Sequence, residues 1–177
     1  KGYHNFPVTM QMGCEYKQFD PTDRCTILVL RALKGLFKDC EHDAFDYMLK
    51  SLCLALDLDV HDTTFDFFYG GGGNGKSTIT NFMTKTFKEY ASDMSISLIE
   101  KGRNKKQAGV ASPELLKHEN KRFILIAEAN DIIFDPDVLK EITGGEDLEG
   151  RAMYSGNDRS FKVRGRVVIT VNNVPTF

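Results

Sequence analysis

The sequence predicts an α/β protein: a mostly parallel sheet flanked by helices and preceded by a small helical segment. Three observations predict it. Phe123–Ala127 (FILIA) and Val167–Val171 (VVITV) are apolar runs of the kind found in parallel strands buried on both faces. Such runs alternate with stretches of helical period, the order that builds a parallel sheet. Finally, Phe65–Thr80 (FDFFYGGGGNGKSTIT) reads as strand, glycine-rich loop and helix start in direct succession.

At 177 residues the chain is about one domain, long enough to bury a core. Its net charge of −2 provides no global basic field, so any nucleic-acid contact must come from a local patch. Cys14, Cys25, Cys40 and Cys53 are widely spaced with no CxxC pair. They read as free thiols of a reducing, intracellular compartment rather than a zinc site or disulfide framework. No apolar run is long enough to span a bilayer, so no membrane partner is expected. The chain begins at Lys1 rather than Met and stops after a strand-like run, and is expected to be a fragment of a larger protein.

In order, residues 1–21 read as an extended lead-in. Thr22 or Asp23 caps a helix with Ile27, Leu30, Leu33, Leu36 and Phe37 at helical spacing. A second helix from about Glu41 carries Phe45, Met48, Leu49, Leu52 and Leu56 on one face, and both stripes read as core. Residues 1–60 are thus a lead-in and helical segment, and 61–177 the sheet-containing unit. Phe65, Phe67, Phe68 and Tyr69 read as a buried strand, followed by a helix over about Lys76–Tyr90. Ser95–Leu98 is a short strand candidate, and Lys101–Ala111 (KGRNKKQAGVA) a basic loop. Ser112-Pro113 and Asp135-Pro136 each give a cap followed by proline at the first helical position. His118 reads as a solvated helix end. Gly144-Gly145 closes the helix begun at Pro136. Ala152–Tyr154 and Phe161–Val163, flanking Ser155-Gly156-Asn157-Asp158, read as a β-hairpin.

The chemistry concentrates at the ends of the strands. Gly70–Ser77 fits GxxxxGK[S/T], and the strand–loop–helix context is the one a phosphate-binding loop requires. Gly70, Gly71, Gly72 and Gly73 let the backbone wrap closely round phosphates, Asn74 and Gly75 complete the binding loop, and the following helix N-terminus adds positive partial charge. Lys76 is placed for the β- and γ-phosphates, Ser77 for Mg²⁺, and Thr78 continues the binding segment. Ligands of open parallel sheets sit beyond the carboxyl ends of the strands. FILIA ends in Glu128, placed to polarise water or hold the metal shell. VVITV ends in Asn172, which reads equally as a γ-phosphate contact that aligns water or as a turn residue.

Four stretches in order, GGGGNGKST, FILIAE, LKEITGGEDLEGRAMY and VVITVNNVP, resemble the motifs of superfamily 3 helicases, and most closely the poxvirus-type primase–helicase branch of large DNA viruses and some phages. The matching positions are Asn74 before GKS, Glu128, then Lys140, Thr143, Gly144, Gly145 and Arg151, then Asn172 and Pro175. Glu146 stands where that family usually has Asp, and Ala127 where many members carry a second acid, for which Asp131 is a possible substitute. The upstream YKQFDPTD and the paired helices also resemble that family, so the likeness spans roughly 17–177.

The resemblance implies an AAA+-like P-loop NTPase fold, truncated at its C-terminal part. It implies a DNA helicase motor of viral replication that uses ATP and Mg²⁺ at the subunit interfaces of a hexameric ring. A primase domain in the same polypeptide and a viral replication site in the host cell follow from the same likeness. A pore hairpin of that family maps to about Ala152–Val163. Arg151, Arg159, Lys162, Arg164 and Arg166 cluster there, with Arg159 expected at the tip on single-stranded DNA and Lys162 behind it. The family's arginine finger falls beyond Phe177. The chain alone is therefore expected to turn over weakly, since a finger supplied in trans contributes on the order of 10³–10⁵ in rate. Two other classes fit the first motif: a P-loop kinase, and a nucleotide-binding nucleic-acid or assembly module without hydrolysis.

Overall fold

The computed structural model describes residues 10–40, 43–57, 63–102, 114–151 and 158–177. Along the chain these form α1 (Arg24–Gly35), α2 (Ala44–Leu54), β1 (Phe65–Tyr69), α3 (Lys76–Phe87), β2 (Ala91–Asp93), β3 (Phe123–Ile126), α4 (Pro136–Thr143), β4 (Leu148–Arg151), β5 (Asp158–Phe161) and β6 (Arg166–Val171). Four strands make one parallel sheet in the order β1-β6-β3-β2. The two central strands come from the two apolar runs; every residue of β3 and of β6 is buried, while Ala127, past the end of β3, is exposed. A parallel strand covered on both faces has no polar side to show, which is why those runs do not alternate. The antiparallel pair β4–β5 stands apart from the sheet.

Successive residues of the central strands feed opposite cores. Ile124 and Ile126 of β3, with Val167, Ile169 and Val171 of β6, join Leu139 and Ile142 of α4 and Leu148 and Phe161 of the hairpin. Phe123, Leu125 and Val168 face the other way, onto Phe45, Met48 and Leu52 of α2 and Ile79, Met83 and Phe87 of α3. The period of two thus sorts one strand between two helical layers.

Local signals set several boundaries. Asp23 caps α1, its side chain accepting from the Thr26 N–H at 2.9 Å. That bond holds its carboxyl below the usual carboxylate range. Asp135 caps α4 through the N–H groups of Asp137 and Val138, with Pro136 at the first position. Gly145 follows α4 with φ 70°, in the left-handed region that favours glycine.

Other expectations are corrected. The strand is Ala91–Asp93, and Ser95–Leu98 forms a 3₁₀ turn instead, Ser95 capping it through the Ser97 N–H. β1 ends the row of strands, so its aromatic side chains are not fully covered: Phe65, Phe67 and Phe68 are half-buried and Tyr69 is exposed. The buried residue of β1 is Asp66, which accepts from Arg166 Nε at 2.9 Å and Nη2 at 2.8 Å, and from the Ser51 hydroxyl. The α1 stripe is half-buried at most, Ile27 is exposed, and Leu56 lies past the end of α2 in solvent. His118 is not solvated: it is 3% exposed, with Nδ1 2.8 Å from Ser92 Oγ. Burial, helped by Lys117 and Lys121, pushes its imidazole down to about 4. A hairpin strand is described at Leu148–Arg151, just before the expected one. The expected Ala152–Tyr154 strand, the turn residues Ser155–Asn157, the Ser112-Pro113 cap and most of the Lys101–Ala111 loop lie outside the described residues.

Candidate functional site

All four strands of the sheet run in one direction, so their carboxyl ends share one edge. The loop after β1 leaves along that edge. Gly70 donates its N–H to Val171 O at 3.3 Å, which ties the loop's first residue to the end of β6. Gly75 then caps α3 with φ 86°. That conformation favours glycine, and a Cβ there would lie 2.6 Å from a Leu36 methyl, which would have to move aside. Lys76 opens α3 and turns its Nζ back over the loop, donating to the carbonyls of Gly70 and of Gly71 (3.2 Å) and to Asn74 Oδ1 (3.1 Å). A GxxxxGK spacing therefore produces a closed ring in which the lysine is held by the loop it follows.

The strand ends bring the remaining groups. The chain leaves β3 in a tight fold-back. Glu128 has φ 56° and Asp131 φ 55°, a region non-glycine residues seldom adopt. Bonds to and around β6 hold it there. The Glu128 N–H donates to Thr170 Oγ1 at 2.9 Å, and the Ala129 N–H to Thr170 O at 2.9 Å. The Asn172 N–H donates to Asn130 Oδ1 at 2.6 Å, and Asn173 Nδ2 to Asp131 Oδ1 at 3.1 Å. Glu128 and Asn172 are left exposed on one surface.

One cavity of about 460 Å³ collects these groups. It is lined by Gly72, Gly73, Asn74, Gly75, Lys76, Ser77 and Thr78, and by Glu128, Thr170, Asn172 and Leu36. Lys76, Ser77, Glu128 and Asn172, drawn from three elements almost a hundred positions apart, thus face the same space. Gly70 and Gly71 shape it through their carbonyls on Lys76 without lining it. Asp131 does not line it, and Glu128 is its one carboxylate among the described residues. An ammonium group beside the N-terminus of a twelve-residue helix is a chemistry for anions. A hydroxyl and a carboxylate across the same space are oxygen donors of the type that Mg²⁺ takes from protein while keeping waters and ligand oxygens.

Three lining or supporting residues were not anticipated. Leu36 reads as core from its spacing, and Asn130 carries no signal. Thr170 is the lone polar residue of VVITV, and that oddity could have been read as a hydrogen-bonding role.

The expected nucleic-acid residues lie elsewhere. Arg159 is in β5, paired in register with Gly150, and its side chain is outside the description. Lys162 follows β5 at the base of the hairpin, half-buried, its Nζ 3.8 Å from Asp147 Oδ2.

Comparison with known proteins adds a family. Residues 68–177 match a family described as "Family of unknown function (DUF5906)". The chain belongs to the DUF5906 family. This DUF5906 chain is also 26% identical over 173 residues to the protein of Acanthamoeba polyphaga mimivirus named "Putative helicase L207/L206", a match covering 96% of the chain and 17% of that protein. It resembles in fold two solved apo structures of the NrS-1 C-terminal region, with TM-scores of 0.60 and 0.57 at 16% identity. Each likeness covers 84% of the chain, and 33% and 35% of those chains. The chain therefore spans about a sixth of its curated relative and a third of its structural neighbours.

Proposed function

We propose that the chain is the ATP-hydrolysing core of a viral replication helicase, with a P-loop in Gly70–Thr78. The observation that carries this reading is the common cavity of Lys76, Ser77, Glu128 and Asn172. Lys76 and the α3 N-terminus neutralise the triphosphate, Glu128 accepts a proton from the attacking water, and Asn172 aligns that water against the γ-phosphate. Phosphoryl transfer asks for little beyond such positioning and charge stabilisation. Ser77 and Glu128 would hold Mg²⁺, which when bound would supply charge neutralisation. The helicase name of the mimivirus relative supports the motor reading. A superfamily 3 ring, single-stranded DNA gripped by the hairpin with Arg159 and Lys162, and a primase domain in the same polypeptide belong to the same proposal.

The test is Lys76→Ala in the assembled full-length protein, assayed for ATP hydrolysis with and without single-stranded DNA. Wild type is expected to be stimulated by DNA and the variant to lose hydrolysis. Intact hydrolysis in the variant overturns the site. A second reading, a nucleotide-binding assembly module without hydrolysis, draws on the single carboxylate in the cavity. Nucleotide-dependent assembly with no turnover in the full-length protein would select it.

A further inference from the structure

A second cleft, of about 390 Å³, adjoins the cavity and shares Leu36, Asn74 and Lys76 with it. It lies between the end of α1, the start of α2, β1 and the first turn of α3. Its character differs. Besides Asn74, Lys76 and the carboxylates of Asp39 and Asp66, this one is walled by the rings of Phe37, Tyr47, Phe68 and Tyr69, which the first cavity lacks. Tyr47 is 64% exposed and Tyr69 59%, so two large rings stand in solvent beside a site for charged groups. The volume falls within the range of roughly 300–1,000 Å³ common for small-molecule sites.

We infer that this cleft is the base subsite of the nucleotide whose phosphates occupy the adjoining cavity, with the Tyr47 and Tyr69 rings as its stacking surfaces. The inference rests on the proposed nucleotide reading. A nucleoside triphosphate carries both chemistries in one molecule, a polyanion joined through a sugar to a planar aromatic ring. The two spaces present the matching pair, side by side, with Asn74 and Lys76 at their boundary. Aromatic faces accept any base, and covering exposed rings adds affinity that a bare polyphosphate cannot recover. The helical segment thereby acquires a role at the site: α1 and α2, whose apolar stripes read as core from the sequence, supply one wall of the base subsite. Gly75 packed under Leu36 ties that wall to the phosphate side.

The experiment compares equilibrium binding of ATP and of inorganic tripolyphosphate to the chain, each with Mg²⁺. Tyr47→Ala and Tyr69→Ala are expected to weaken ATP about tenfold each and to leave tripolyphosphate within about twofold. Tyr47→Phe and Tyr69→Phe keep the ring and are expected to bind ATP as wild type does. Lys76→Ala weakens both ligands. If the alanine variants bind ATP as tightly as wild type, or lose both ligands alike, the base subsite is wrong while the phosphate site stands. If wild type binds neither ligand, or Lys76→Ala weakens neither, the nucleotide reading itself falls and the subsite with it.

Discussion

The two ends of the sheet handle polar groups in opposite ways. At the amino ends they are buried and partnered. Asp66 is enclosed by Arg166 and Ser51. Arg122 sends Nε to Ala55 O at 3.0 Å and Nη2 to Asp57 O, fastening the end of α2 to the start of β3. His118 meets Ser92. At the carboxyl ends Glu128, Asn172 and Ser77 are exposed, Lys76 is half-buried, and the backbone takes left-handed conformations at Gly75, Glu128 and Asp131. Burying charges raises the cost of any change, so the amino ends keep one arrangement. Backbone in sparsely populated regions costs stability and recurs at functional sites, and here it lies beside the cavity. One end holds the fold, and the other is the proposed site of chemistry.

The comparison breaks if the ends respond alike to substitution. The largest stability loss is expected for Asp66→Ala, which leaves Arg166 buried without its carboxylate. Urea unfolding should show a loss of about 3–5 kcal/mol, and a loss below about 1 kcal/mol would mean that the amino-end network is not structural.

A smaller effect is expected at His118. Its folded-state pKa is pushed from 6.5 to about 4. Between those values the unfolded chain binds more protons than the folded one, so stability present above pH 6.5 is lost as pH falls toward 4. The loss should be on the order of 3 kcal/mol at most. His118→Gln should flatten that part of the pH–stability profile, and an unchanged slope would place the titration elsewhere.

The smallest stability change belongs to the other end. Glu128→Gln should shift unfolding by no more than about 0.5 kcal/mol, because the side chain is exposed and the anchoring bond uses the backbone N–H. In the full-length protein the same variant should retain ATP binding and lose hydrolysis. A large stability loss with activity preserved would invert the contrast between the two ends.

Legibility in the sequence followed how local each signal was. FILIA and VVITV announced two central strands because burial on both faces writes itself into every residue. Asp23, Asp135-Pro136 and GxxxxGKS were equally plain, since caps and glycine turns act within a few residues. The misread elements depended on distant neighbours. FDFFY reads as a buried strand, yet β1 ends the row and buries its aspartate, because the cation that neutralises Asp66 is a hundred residues away. His118 reads as polar surface, and only the packing of β2 beside it makes it core. Ser95–Leu98 has strand composition but turns, held by the Ser95 cap.

By itself, then, the sequence determined the α/β class, the two central strands, the glycine loop with its lysine and serine, and the two polar residues that end those strands. Only the tertiary structure decided that these ends share one cavity, that Thr170 and Asn130 fasten them, and that the α1–α2 segment walls an aromatic cleft next door. Short-range sterics and hydrogen bonds are set by adjacent residues and can be read off them. Strand order and helix packing come from burying many surfaces at once, and no single stretch of sequence records that outcome.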